Sequence, residues 1–328
     1  LIKIPLKQKL SIARRVMRGG KGPRFASLFV TRQCNVRCPY CKSVNQPAAD
    51  VPLATWEAVI DRLCGWGVRI FSLTGGEPLM RPDIGDIIGR ITMRNKAVAW
   101  MISNFKTMDE GTIDRLRGAG LQFLTCSLDS LRGQGQKSSA LALDALAYAK
   151  RKGIIVSTLT VVTRENIDEV PSIAEEVVSR GILFDMGLFQ HVGGAFSPES
   201  TELKPGSMNE VRRLRRFLKR LKVKTGMVSP SIGYLDEDLS LYETMGWKCP
   251  ADRDAFLVVN NDATFMPCQE YATDVGVLDI SDLSDSKWRE AKRKAVLACK
   301  GCFYGCYYQK CKVRFVDALF DGYAMLRV

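Results

Sequence analysis

The stretch RFASLFVTRQCNVRCPYC, residues 24–41, decides how the chain reads. Its first part, RFASLFVT (24–31), is a short and nearly continuous apolar run. Such a run reads as a buried parallel strand, covered by helices on one face and by a packed interior on the other. Cys34, Cys38 and Cys41 follow at once. A strand that ends directly in clustered thiols suggests a sheet whose strand ends carry chemistry.

Outward from that stretch, similar runs recur: VRIFSLT (68–74), AVAWMIS (97–103), LQFLTCSL (121–128), IIVSTLTVV (154–162) and ILFDMGLFQ (182–190). Helical periodicity lies between and after them, near 53–65, 83–95, 109–118, 138–152, 167–180 and 208–223. Thr107…Glu110, Asn166…Glu169 and Ser207…Glu210 have the spacing of a helix-capping box or its Asn variant. Gly120, Gly153 and Gly181 stand where helices should stop, and Pro171 falls in a first turn. Six strand–helix units in series imply an α/β fold with a parallel sheet and right-handed crossovers. Six units rather than eight predict an incomplete barrel, open on one side. In barrels, functional groups collect at the C-terminal strand ends. Here those ends follow Thr31, Thr74, Ser103, Leu128, Val162 and Gln190.

Composition agrees with a globular protein. The 328 residues are 46% hydrophobic and 25% charged, which excludes disordered, collagen-like and coiled-coil chains. The longest uncharged stretch, Met186 to Pro198, is Gly-rich and too short to span a bilayer. A net charge of +13 favours anionic partners. No helix-turn-helix, zinc-finger or RNA-binding pattern is present, so a nucleic-acid partner is not expected. The eleven cysteines are the unusual feature. The first residues lack an unbroken apolar region and a small-residue cleavage site, so reduced thiols in the cytoplasm are expected. Clustered reduced thiols point to metal or redox chemistry.

Cys34, Cys38 and Cys41 are spaced CxxxCxxC. Three such thiolates can wrap one iron–sulfur cube and leave its fourth iron open to a ligand. Zinc is the alternative metal, but no fourth Cys or His stands nearby. Thr74-Gly75-Gly76-Glu77-Pro78 follows the second strand. Paired glycines permit close backbone approach, and the carboxylate beside them can accept hydrogen bonds from an ammonium group.

With both motifs at one rim, residues 24–224 resemble the radical SAM superfamily. The resemblance implies a [4Fe-4S] cluster on Cys34, Cys38 and Cys41, with S-adenosylmethionine chelating the open iron. One electron then cleaves the sulfonium to give a 5′-deoxyadenosyl radical. By position, Tyr40 would lie near the adenine, and Gly75, Gly76 and Glu77 would hold the methionine amine. Ser103, Asn104, Ser127 and Asp129 match places that contact ribose or carboxylate. Val162, Asn166 and the Leu188–His191 strand end match adenine-side positions.

After about residue 225 the strand–helix rhythm ends, and six cysteines appear: Cys249, Cys268, Cys299, Cys302, Cys306 and Cys311. AFLVVNNDATFMPC (255–268) reads as a hairpin. The cysteine set resembles the SPASM/twitch extension of radical SAM enzymes, which implies at least one auxiliary [4Fe-4S] cluster. Cys249, Cys268, Cys299 and Cys302 are its first-choice ligands, with Cys306 and Cys311 as substitutes or as part of a second cluster. The pattern departs from the family at Ala263, where glycine is usual, and in the C-x2-C-x3-C-x4-C spacing of the last run. A structural zinc is the alternative. The expected architecture is therefore a partial (β/α)6 barrel of the radical SAM type over 23–228. A small cysteine-rich SPASM/twitch-like domain over 229–328 follows it, and a basic amphipathic extension over 1–22 precedes it.

That extension reads either as a helix packed on the body or as one lying on a membrane surface, which would make a peripheral membrane contact. His191 is the sole histidine. It follows the sixth strand, as an ordinary polar rim residue or as an acid–base group near substrate. Cys64 and Cys126 read as buried apolar side chains. The arginine-rich face of 212–219 reads as solvated. The expected activity is hydrogen abstraction from an unactivated C–H bond. Only about 22 residues precede the first strand, which favours a small-molecule or lipid-like substrate over a peptide. A peptide-modifying maturase is the alternative, and a non-catalytic iron–sulfur carrier is the reading from another class. A low-potential donor such as a flavodoxin or ferredoxin is the expected electron source.

Overall fold

The computed structural model describes residues 22–41, 49–131, 140–190, 202–236 and 256–302, with single positions 10, 11, 14, 242, 249, 251 and 254. His191, Cys306, Cys311 and nearly all of the 1–22 extension lie outside these described residues.

Six strands form in the expected order: β1 (Phe25–Thr31), β2 (Ile70–Gly75), β3 (Val98–Ser103), β4 (Phe123–Ser127), β5 (Ile155–Val162) and β6 (Leu183–Leu188). All neighbouring pairs from β1 to β6 are parallel. The crossovers carry α1 (Leu53–Gly65), α2 (Ile84–Gly89), α3 (Glu110–Gly118), α4 (Ala140–Arg151) and α5 (Val170–Ser179), and α6 (Met208–Thr225) follows β6. This is the mostly parallel α/β sheet of an open partial barrel.

The hairpin read at 255–268 is also present, as β7 (Leu257–Val259) and β8 (Phe265–Met266), which pair antiparallel. Its placement is new. β7 pairs parallel with β1, so one eight-stranded sheet runs β6-β5-β4-β3-β2-β1-β7-β8. A short α7 (Ile232–Asp236) precedes the hairpin and α8 (Ser286–Ala298) follows it. Ala263, in the hairpin turn, has φ 66°. The departure from glycine therefore falls at a left-handed position, where a Cβ costs roughly 1–2 kcal/mol.

Strand alternation sorts the two faces. Ala26, Leu28, Val30, Phe71, Leu73, Phe184, Met186 and Leu188 belong to the main core with the α1 residues Trp56, Val59, Ile60 and Leu63. The opposite face differs from the expectation of near-continuous apolar strands. Ser27 stands beside Ser72, Thr125 beside Ser157, and Leu159 beside Asp185. Trp100 Nε1 donates to Thr125 Oγ1 at 2.7 Å, and Thr125 and Ser157 share a hydroxyl bond of 2.6 Å. Small hydroxyl side chains line part of this inner face. Val98, Ile155 and Met227 close its lower end, with Ile70, Phe123 and Leu183 packed on them.

Local signals were partly right. Ser207 caps α6 by accepting from Asn209 N at 3.2 Å, and Gly226 ends the helix at φ 71°. Asp109, not Thr107, caps α3, accepting from Thr112 N at 2.7 Å. Asn166 caps no helix; its amide is used between β4 and β5. The pattern near 83–95 splits into α2 and a π-helical turn, Arg90–Arg94. There Thr92 Oγ1 bonds both Ile88 O and Ala119 O, each at 2.9 Å, tying the turn to the end of α3.

Asp109→Ala should speed hydrogen exchange at the Thr112 amide and its first-turn neighbours, whereas Thr107→Ala should leave those rates at the wild-type value. Equal effects would remove Asp109 as the cap.

Candidate active site

The rim forms where two loops approach more closely than side chains allow. β1 ends at Thr31 and β2 at Gly75, and the loops beyond them stay hydrogen-bonded. Gly76 N donates to Thr31 O and Glu77 N to Gln33 O, both at 2.8 Å. A Cβ on Gly75, at φ +131°, would stand 2.2 Å from Thr31 O, and one on Gly76 would stand 1.9 Å from Gln33 O. The close approach expected toward a ligand is made in the structure to the backbone leading into the cysteine loop.

Glu77 is only 1% exposed. Its Oε1 accepts from Leu79 N at 3.2 Å and its Oε2 from Asn104 N at 2.7 Å. The carboxylate thus caps the 3-10 turn Pro78–Met80 and pins the end of β3. Asn104 continues the chain of contacts. Its Nδ2 donates to Asn35 Oδ1 at 2.7 Å and lies 3.8 Å from Cys34 Sγ. Ser103 is spent locally, its Oγ accepting from Phe105 N at 3.1 Å. Phe105 sits at φ 62° to turn the backbone there.

On the other side Tyr40 links the loop to β4 and β5. Its hydroxyl donates to Asp129 Oδ2, and Asp129 Oδ1 accepts from Val161 N at 2.9 Å. Burial, then the Asp129 carboxylate and the Cys38 thiol, push the Tyr40 phenol well above its usual pKa. It is therefore a permanent donor near neutral pH. Asn166 Nδ2 donates to Asp129 O at 3.1 Å and Val161 O at 3.0 Å, and its Oδ1 accepts from Thr163 N at 2.8 Å.

A third set of bonds holds the loop from behind. Asp50 accepts from Thr31 Oγ1 at 2.5 Å and from Asn261 Nδ2 at 2.9 Å. The Arg32 guanidinium bonds Asn260 Oδ1. Arg81 Nη1 donates to Val30 O at 3.0 Å and Val51 O at 3.1 Å. Neither Arg32, Asp50 nor the Asn260–Asn261 pair was singled out from sequence. Their partners are more than two hundred residues apart, and no local pattern announces such a pairing.

The structure gathers Cys34, Cys38, Cys41, Tyr40, Gly75, Gly76, Glu77, Asn104, Asp129 and Asn166 at one rim. Ser127 is on the inner face, beside Leu159. Val162, expected on the adenine side, could offer only its backbone there. Alternation turns its side chain into the helix-facing core, fully buried, and its carbonyl accepts from Phe189 N at 2.8 Å. Sequence reading also missed the inner-face groups Trp100, Thr125, Ser157 and Asp185. Asp185 is the one charged residue among the inward strand positions described, and the every-second-residue polarity of β4–β6 was the available signal.

The three rim thiols are half-buried. Among the described residues, no three Cys, His, Asp or Glu side chains converge to grip a single metal ion. A [4Fe-4S] cube asks for something else, namely thiolates spread around its corners on different irons. Three half-buried thiols on a loop fixed at both ends fit that donor chemistry. In the C-terminal part, Cys249 and Cys268 pack with Val296 against Phe256, Val258 and Met266. Cys268 Sγ accepts from Glu270 N at 3.4 Å, and Cys299 Sγ from Gly301 N at 3.3 Å. Tyr271 lies against Cys299 and near Cys268; burial first, then those thiols, raise its pKa. Cys302 is half-buried. Cys64 and Cys126 are buried, as expected. Burial pushes the Cys64 thiol up to about 12.

Residues 28–177 match the Radical SAM superfamily. This stretch is a radical SAM domain. The chain is 24% identical to the PqqA peptide cyclase of Gluconobacter oxydans (strain 621H) over 277 residues, covering 79% of this chain and 74% of the relative. It is 30% identical to the GTP 3′,8-cyclase of Ectopseudomonas mendocina (strain ymp) over 208 residues, covering 59% of this chain and 62% of the relative. It thus spans less than two thirds of the second relative. The fold is shared with Streptococcus suis SuiB bound to precursor peptide SuiA, at a TM-score of 0.64 and 15% identity, covering 95% of this chain and 77% of that one. Among the described residues no helix is long and apolar enough to cross a membrane.

Two outcomes test the geometry. Gly76→Ala should displace the cysteine loop and sharply reduce iron uptake on anaerobic reconstitution, while Gly85→Ala, which meets nothing within 4 Å, should not. In metal-free protein, alkylation should leave Cys64 unmodified at pH 8 while the rim thiols react, because below a pKa of about 12 little Cys64 thiolate exists.

Proposed function

We propose that the chain is a radical S-adenosylmethionine enzyme that abstracts hydrogen from a peptide substrate. The observation that carries this reading is the rim. The CxxxCxxC loop, the GGEP turn, Asn104 and Asp129 are fastened to one another at the C-terminal ends of five adjacent parallel strands. Cys34, Cys38 and Cys41 would hold a [4Fe-4S] cluster. When bound, it supplies the electron that opens the sulfonium of S-adenosylmethionine and so the radical that removes hydrogen.

The chain's own groups bind and orient. The Gly75–Glu77 segment lies against the loop, with the Glu77 carboxylate held by two backbone amides, where it suits the methionine amine. Asn104 sits beside Cys34 and would face the carboxylate end, with Ser103 just before it on β3. Tyr40, Asp129 and Asn166 form the opposite wall, and Ser127 stands below them; these suit the ribose and adenine. Val162 would take part through its backbone alone. The inner face, lined by Ser72, Thr125, Ser157 and Asp185, is the substrate chamber beneath the rim.

The peptide reading replaces the small-molecule or lipid-like expectation. That expectation leaned on the few residues ahead of β1, which do not decide the substrate. The PqqA peptide cyclase and the SuiB–SuiA complex support a peptide, and the GTP 3′,8-cyclase keeps a nucleotide as the second reading. Cys249, Cys268, Cys299 and Cys302 would carry an auxiliary [4Fe-4S] cluster in a cysteine-rich unit over 229–328, with Cys306 and Cys311 completing its ligands or a second cluster. Cys268 Sγ and Cys299 Sγ each already accept a backbone amide. A low-potential flavodoxin- or ferredoxin-like donor would supply the electron. His191, which lies outside the described residues, would be an acid–base group near substrate.

Anaerobic reconstitution should load about eight iron atoms per chain, two cubes' worth. Dithionite and S-adenosylmethionine should then yield 5′-deoxyadenosine. Replacing Cys34, Cys38 and Cys41 together by Ala should halve the iron and abolish the product. One zinc and no iron would end this reading. Peptides that emerge lighter by hydrogen in a mass-spectrometric screen support the peptide substrate. Turnover stimulated by GTP and by no peptide selects the second reading.

A further inference from the structure

Arg32 stands between the two cysteine-bearing parts of the chain. It follows β1 and precedes Cys34 by two positions, yet it is only 2% exposed. Its guanidinium is turned towards the β7–β8 hairpin. Nε donates to Asn260 Oδ1 at 2.9 Å, Nη2 donates to the same oxygen, and Nη2 lies 3.6 Å from Met266 Sδ. The group stacks over the Phe29 ring, 4.5 Å from its centroid. Arginine keeps its charge in proteins, and this one is held among Asn260, Met266 and Phe29. A tether could be built from neutral side chains. A buried cation beside a thiol loop does more, because a Coulomb interaction is screened far less there than in water.

We propose that Arg32 is a positioning residue that locks the cysteine loop onto the Asn260 turn and, as a fixed positive charge, raises the reduction potential of the cluster on Cys34, Cys38 and Cys41. The proposal rests on the cluster reading above. Reduction adds one negative charge to a group already carrying three thiolates, and net charge nearby is among the factors that set such potentials. Lysine would keep the charge but not the planar fork on Asn260.

The test is a potentiometric EPR titration of the anaerobically reconstituted full chain as wild type, Arg32→Lys and Arg32→Gln, with iron analysis of each. The rim cluster is identified as the signal that changes when S-adenosylmethionine is added. R32Q should retain iron but shift at least tenfold towards the oxidised form, about 59 mV for one electron, while R32K stays near wild type. If R32Q loses its iron, R32K keeping both iron and potential gives the same support. R32Q at the wild-type potential overturns the proposal. R32K losing as much as R32Q overturns the role of the charge and leaves only the lock on Asn260. Wild-type iron with no signal responsive to S-adenosylmethionine overturns the cluster reading and this proposal together.

Discussion

The contact between Gly75–Gly76 and the backbone of Thr31–Gln33 is the constraint on which the rim depends. Two parallel strands normally diverge once their ladder ends. Here the ladder continues past both strands because no Cβ intervenes, and Glu77 arrives with its amide on Gln33 O and its carboxylate under Asn104. From that point hydrogen bonds pass to β3 through Asn104, and Tyr40 carries them to β4 and β5 through Asp129 and Asn166. The cysteine loop, which has no regular structure of its own, is thereby held at its start, middle and end.

This arrangement suits radical chemistry for a physical reason. A reactive group is controlled by where it can reach, so its support must be fixed before substrate arrives. The rim spends its polar groups on one another, which fixes the loop. Among the described strand positions, the inner face below holds small hydroxyls and one carboxylate. In the proposed enzyme, a rigid rim above and a polar inner face below would separate cofactor binding from substrate binding within one barrel.

Much of this was legible in the sequence because it is local. Six apolar runs, the glycines that end α3, α4 and α5, and the two motifs follow from short-range rules. What was not legible is long-range or depends on direction. Nothing near Leu257 says that its strand will lie beside β1. Asp109 outcompetes Thr107 because the helix begins at Glu110, a boundary that spacing alone fixes only to within a residue or two. Val162 was named for its place in the chain, but alternation turned its side chain the other way. The inner face was misread because hydroxyls inside apolar runs look incidental until register aligns Ser27 with Ser72 and Thr125 with Ser157.

The pairing of Ala26 with Leu257 joins positions more than two hundred residues apart in the chain. Contacts this distant close late, because the loop entropy must be overcome before they form. During synthesis β1 to β6 can emerge and pair in turn, while the edge of β1 waits exposed for a strand made more than two hundred residues later. A nascent chain would therefore hold its first three thiols on a half-tethered loop until β7 has been made.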